Sequence, residues 1–249
     1  MASILLEDKG FSLEPASKAI AKLSWGGHKV QDLKLESSML MCTVNGNIIA
    51  LAPMPGPVPG TDIPHAVEAT WLWPKGEPIQ KVLDHKAFIL CTLVVASGNG
   101  SAIDNRLILS QIMASITSQP GVLGVYWPDA GVIHYPPVFT DMAQSDQAQL
   151  MLPINIWTDI RVGKNSDGTA SGRTMGMTAL GHMEIEYPKC ASRPSELREW
   201  MQNIVLYVLD SGPILQHGQT IGGTQEEKVK IRHMDSVFGL PGKVIRLGD

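Results

Sequence analysis

Apolar and polar positions change period several times along the chain, and each change predicts an element. Ser3 to Glu7 reads as a short apolar strand, and Glu14 to Leu23 as a helix. Two further runs, Ser38 to Val44 and Asn47 to Leu51, flank Asn45-Gly46, the preferred chemistry of a tight hairpin turn. The prolines then interrupt the sheet. APMPGPVPG, Ala52 to Gly60, lacks four backbone donors in nine residues and reads as an irregular or polyproline-like connection. Beyond it, Pro64 starts a short helical or bent segment that holds His65, Glu68, Trp71 and Trp73 and closes at Pro74.

A second stretch repeats this order. Ala87 to Ala96 is a continuous apolar run of the kind buried on both faces, and SGNGS leads from it into a helix over about Ala102 to Ser118. Ser101 stands three residues before Asp104, as in a capping box, and Ile103, Leu107, Ile112, Met113 and Ile116 form one apolar face. Strands near Val122 to Trp127 and Val132 to Tyr135 follow, then prolines 136 and 137 and a helix to about Ser145. The shared order suggests an internal duplication, although residue-level identity between the two stretches is low.

In the last hundred residues the pattern differs. Ile154 to Val162 and Arg173 to Leu180 read as a hairpin across the polar tip GKNSDGTASG, with Met183 to Tyr187 as a third strand. Pro194 in a first turn, then Leu197, Trp200, Met201, Ile204, Val205 and Val208, give the clearest amphipathic helix, ended by Gly212 and expected to cover a sheet. Val229 to Arg232 and Val244 to Leu247 are terminal strands. Together these elements predict an α+β fold: mixed, largely antiparallel sheets built from β-α-β-β units with packing helices. No linker composition intervenes, so 1–249 is expected to be a single domain, with 1–148 and 149–249 as the subdomains it could contain.

Composition narrows the function. With 44% hydrophobic and 18% charged residues and a mean hydropathy of +0.04, the chain can bury a sizeable core. A net charge of -4 without long charge runs offers no footprint for nucleic acid or anionic lipid. The N-terminus carries acids where a secretory signal carries bases, and no apolar stretch approaches the roughly 20 residues that span a bilayer, so a cytosolic protein is expected. Cys42, Cys91 and Cys190 make no CxxC pair; the first two fall in apolar strands as core thiols and the third in a loop.

Compact catalytic signatures are missing, which leaves dispersed candidates. SGNGS reads as an ordinary strand-to-helix loop with a serine cap, because it has neither a third glycine at dinucleotide spacing nor a Gly-Lys-Ser/Thr. His65 and Glu68 would share a helix face, the geometry of a metal pair, with a third ligand to be sought in His85, His134 or His182; a polar pair beside Trp71 is the reading preferred, and no metal or cofactor is expected. Glu184 and Glu186 alternate with Met183 and Ile185, which predicts a solvated acidic strand face. Six of the 14 aromatics are tryptophans, and Trp71, Trp73, Trp127 and Trp157 adjoin strand ends or proline breaks. Such residues serve core packing or binding hot spots; Trp71, Trp73, His65, Glu68, Tyr126 and Trp127 are the candidate binding residues.

Several segments taken together, APMPGPVPG with EATWLWP, HKAFILCTLV, GVYW, TALGHMEIEYP, DSGPILQHGQTIGG and VKIRH, resemble in this order a bacterial domain-of-unknown-function family, number 4261. The resemblance implies a bacterial cytosolic protein and carries over no catalytic residue. Family members are similar to neighbours of secreted-toxin and contact-dependent competition loci, which implies an immunity or accessory role. Two readings follow. One is a non-enzymatic protein-binding protein whose partner is a cognate toxin; the other is a small hydrolase or transferase with a dispersed site near His65, Glu68 and His134.

Overall fold

The opening apolar run forms a strand, Ala2–Leu6 (β1), with every residue buried, because it lies inside a sheet with neighbours on both sides. The computed structural model describes residues 1–36, 39–96, 100–144, 152–222 and 228–248. Within it the chain divides into two compact units, Met1–Ile156 and Trp157–Asp249. The fold is α+β, with two largely antiparallel sheets of eight and six strands. Among the described residues no helix is long and apolar enough to cross a membrane.

In the first unit β1 is followed by helix Glu14–Ile20 (α1) and strands Ser24–Trp25 (β2), His28–Glu36 (β3), Met39–Val44 (β4) and Asn47–Met54 (β5). Helix Asp62–Ala69 (α2), a 3-10 turn at Ile79–Asp84, strand Ala87–Val94 (β6), helix Ala102–Thr117 (α3), strands Val122–Trp127 (β7) and Val132–His134 (β8), and helix Pro136–Gln144 (α4) complete it, and the short helix Ile154–Trp157 (α5) spans the boundary between the units. The sheet runs β2-β3-β4-β5-β6-β1-β7-β8. Asn45 and Gly46, with φ of 54° and 78°, make the predicted hairpin turn between β4 and β5. Ser101 caps α3 as expected: its Oγ accepts from Asp104 N at 3.1 Å, and its own N–H donates to the Asp104 carboxylate at 3.0 Å.

Helices occupy both sides of this sheet. On one side α3 packs against α1, α4, β6 and β7, and on the other α2 and the 3-10 turn pack against β7 and β8. Leu5, Phe88, Tyr126 and Ile133 point to the α2 side and join Ile63, Ala66, Val67 and Val82 in one cluster.

The second unit carries strands Asp159–Lys164 (β9), Ala170–Met175 (β10) and Ile185–Cys190 (β11), helix Pro194–Ser211 (α6), and strands Thr220–Ile221 (β12), Val229–Asp235 (β13) and Lys243–Leu247 (β14). Their order is β12-β13-β14-β11-β10-β9, with β11 and β14 parallel and the other pairs antiparallel. The predicted amphipathic helix α6 covers β9 and β10. Gly172 allows that approach, since a Cβ there would stand 2.5 Å from the Met201 sulfur.

Several expectations need correction. The strand β5 continues through Ala52 and Pro53 to Met54, because Pro53 pairs with Ile89 of β6 beyond the last residue that β4 offers, where a missing N–H is tolerated. Strands β2 and β3 lie between the first helix and the hairpin, where the sequence pattern predicts no element. Trp71 and Trp73 follow α2 and are not part of it. Ile154 to Trp157 is a helical turn, so the second-unit hairpin starts at Asp159, and its tip shrinks to 165–169. Cys190 ends β11 and is buried, so it does not lie in a loop. The SGNGS residues 97–99, and the predicted ends at Ser38 and Ser145, lie outside the described residues.

Candidate functional site

Alternation along β4, β5 and β6 sends Leu40, Cys42, Ile49, Leu51, Ile89 and Cys91 to the α3 side, where all are buried. The opposite positions are in register across three strands. Thr43 pairs with Ile48 and Ile48 with Val94, while Met41 pairs with Ala50 and Ala50 with Thr92. These residues share the face on which α2 sits, because Phe88 and Leu90 follow the same alternation and pack into the α2 cluster. The main packing of α2 and the 3-10 turn is against β7 and β8. Met39, Ile48, Met54 and Val94 are therefore left 38%, 47%, 39% and 54% exposed. Gln31, Lys34 and Glu36, partners of Thr43, Met41 and Met39 on β3, edge this apolar area with polar side chains.

At the other margin of that face the chain after α2 is held firmly. Thr70 Oγ1 donates to Ala66 O at 2.7 Å and accepts from the Ile133 amide at 2.9 Å, which fixes the end of α2 to the edge strand β8. Trp73 Nε1 donates to Glu77 O at 3.1 Å, and its ring meets Tyr135 edge-on with centroids 5.2 Å apart. Trp71, 39% exposed, projects from this fixed segment. Since β8 is four strands from β5, about 19 Å at ~4.8 Å per strand, Trp71 and the bare apolar area are separate features of one side of the sheet. Thr70 is the positioning residue that the sequence reading passed over.

The remaining candidates do not converge. His65 and Glu68 are exposed on α2, on the helix side away from buried Ile63, Ala66 and Val67. Tyr126 is buried within the α2 cluster. Trp127, its neighbour in β7, points to the opposite face and is fully buried, 6.4 Å from the Phe139 ring and capped by the Arg106 guanidinium at 5.6 Å. Neither Tyr126 nor Trp127 can act as a surface anchor. His134 also lies on that opposite face: its β8 neighbour Ile133 joins the α2 cluster, so alternation sends His134 towards Phe139. The His65, Glu68 and His134 site is therefore not assembled.

The two buried histidines of this unit are committed to backbone. His134 Nε2 donates to Ile156 O at 3.1 Å, and burial pushes its pKa down to about 4. His85 Nδ1 donates to Val82 O, and its Nε2 accepts from Val58 N, each at 2.8 Å. That pair of bonds ties the proline-rich connection to the 3-10 turn and uses both ring nitrogens of the neutral form; burial lowers this pKa too. Among the described residues no three His, Cys, Asp or Glu side chains gather as a metal-binding group.

In the second unit the expectation of a solvated acidic face is overturned. Glu184 and Glu186 are 4% and 0% exposed. Glu184 accepts from Thr174 Oγ1 at 2.6 Å, Gly176 N at 2.9 Å and Thr178 N at 3.1 Å. Glu186 accepts from Arg246 Nε at 2.8 Å, Ser236 Oγ at 2.8 Å and Val237 N at 3.2 Å. Both carboxylates hold loops in place, and their charge is balanced by donors and a guanidinium rather than by water.

Residues 173–248 match the sequence pattern of a domain of unknown function (DUF4261), so the chain carries that domain from β10 through β14. TALGHMEIEYP, DSGPILQHGQTIGG and VKIRH fall inside the match, and the four segments upstream of residue 173 fall outside it. No curated protein and no solved structure matches the chain.

Proposed function

We propose that this is a non-enzymatic protein-binding protein of the bacterial cytosol, and that its partner is a toxin whose activity it neutralises. The observation that carries the reading is the bare half-face of the eight-stranded sheet, where Met39, Met41, Ile48, Met54 and Val94 form an apolar centre edged by Gln31, Lys34 and Glu36. An apolar centre with a polar rim is the anatomy of a protein interface. Its backbone is already ordered by three paired strands, so binding costs little conformational entropy, and its methionines can adapt to a partner's contours. Trp71, on the fixed segment at the far margin of the same side, supplies a second anchor.

The test is co-expression of the full chain with the product of the gene beside its own, reading cell survival and the mass of the purified complex. Survival with a heteromeric complex is expected, weakened at least tenfold in affinity by Ile48→Asp or Val94→Asp while the circular dichroism of the variants is unchanged. Self-association through this face, abolished by the same variants without any effect on survival, would replace the toxin with a second copy. Turnover of a small molecule by the isolated chain, with no complex formed, would return the reading to an enzyme.

A further inference from the structure

A transverse row of charged residues crosses the six-stranded sheet. Arg161 of β9 pairs with Arg173 of β10, and Arg173 with Glu186 of β11. Glu186 in turn pairs with Arg246 of β14, and Arg246 with Arg232 of β13. Paired residues in neighbouring strands point to one face, so four guanidiniums and one carboxylate share a side of the sheet. It is the side away from α6, because Gly172, the neighbour of Arg173, faces Met201 and Leu197 of that helix. Like charges directly opposite one another destabilise a sheet, and this row contains two such pairs.

Local carboxylates offset part of that repulsion. Arg246 is held by Glu186, and Arg161 Nε donates to the buried Asp159 carboxylate at 2.7 Å. Arg173 is different. Its guanidinium lies over the Phe238 ring at 5.2 Å, and its Nε is buried without a hydrogen-bond partner among the described residues. An unpaired N–H of a cation is costly to bury, and a guanidinium stacked on an aromatic ring keeps its donor edge in a fixed plane. Ser236 and Val237, bonded to Glu186, hold the loop that brings Phe238 to this position. The residue as a whole remains partly accessible to solvent. A positive site is thus built into a chain whose net charge is -4.

We propose that Arg173, between the Arg161 and Arg246 pairs, binds the phosphate group of an anionic ligand. A phosphate dianion supplies paired oxygen acceptors and a counter-charge for the Arg173 guanidinium. The site is independent of the apolar face of the first unit. Inorganic phosphate is the probe: the full chain is titrated by calorimetry at constant ionic strength, with sodium chloride and sodium sulfate as parallel titrants. Saturable phosphate binding is expected, weakened at least tenfold by Arg173→Gln and only partly restored by Arg173→Lys, which keeps the charge but not the fork. Phe238→Leu, which leaves every charge in place, should weaken binding severalfold, and serves as the decisive variant if Arg173→Gln does not fold. An equal response to chloride, equal phosphate affinity in both variants, or no saturable heat would overturn the proposal.

Discussion

Acid should destabilise the first unit through His134, and the size of the effect follows from its surroundings. The ring is buried at 3% exposure, 5.8 Å from Phe139, with Nε2 donating to the Ile156 carbonyl. In that tautomer Nδ1 carries no proton, and adding one places a cation in an apolar layer. Burial moves the pKa from 6.5 to about 4. The sign follows from where each state takes up its proton. The unfolded chain protonates near pH 6.5 and the folded chain only near 4, so the unfolded state holds more protons throughout that window. The stability contribution is complete above about pH 6.5, falls with decreasing pH, and is lost by about pH 4. At ~1.36 kcal/mol per unit, the full loss is about 3 kcal/mol, a large share of the ~5–15 kcal/mol that holds an ordinary domain.

Urea unfolding at pH 7.5 and pH 4.5, followed by tryptophan fluorescence and circular dichroism, measures the effect in the native chain and in His134→Gln, which cannot take a proton. His85 and His182, whose pKa values burial also lowers, are present in both proteins and cancel in the comparison. Between these pH values the native chain should lose roughly 2.5 kcal/mol more than the variant. Equal losses, or an NMR titration of the folded His134 ring near pH 6.5, would refute the reasoning.

Three shorter predictions concern the supports of the two sheets. Gly176→Ala should lower stability by roughly 2–5 kcal/mol in thermal unfolding, because φ is +109° and the new Cβ would stand 2.2 Å from Trp157 O. Thr70→Val should cost about 1–3 kcal/mol, with faster hydrogen exchange at Ile133, whose amide loses its acceptor. Cys42, with its pKa raised to about 11 by burial, and Cys91, raised further, should resist aromatic disulfide reagents at pH 8 until the chain is unfolded.

Elements whose signals are local were legible in the sequence. Asn45-Gly46 needs only its own backbone to make a turn, Ser101 and Asp104 cap α3 within one turn, and the apolar stripe of α6 repeats over several turns. Strand β3 was missed because HKVQDLKLE lies near a sheet edge with most side chains exposed, so no burial pressure writes an apolar run into it. INIW has the composition of a strand, yet it forms a helical turn before β9. The larger misreadings share one cause. Alternation puts Glu184 with Glu186, and separates Tyr126 from Trp127, but it does not say which face another element covers. Glu186 became a buried partner of Arg246, 60 residues away in sequence, through a pairing visible only once β11 and β14 are side by side. The arginine row is likewise a property of register across five strands, and no single segment of the chain contains it.

Salt should separate the two proposed surfaces. The sheet face of the first unit is apolar at its centre, with Lys34 and Glu36 at its rim carrying opposite charges. Complex formation there is driven by burial of side chains such as Ile48 and Val94, and dissociation should be almost independent of ionic strength. The net charge of -4 acts only on encounter, raising the association rate with a basic partner at low salt. Phosphate at Arg173 depends on charge throughout, and the site's partial exposure leaves it open to screening, since the Debye length falls from ~10 Å at 0.1 M salt to ~3 Å at 1 M. Raising sodium chloride over that range should weaken phosphate binding severalfold while the dissociation rate of the protein complex changes less than twofold. Surface plasmon resonance measures the second quantity and calorimetry the first. A complex whose dissociation accelerates tenfold over the same range would place its energy in ion pairs and rule out the apolar half-face as its main contact.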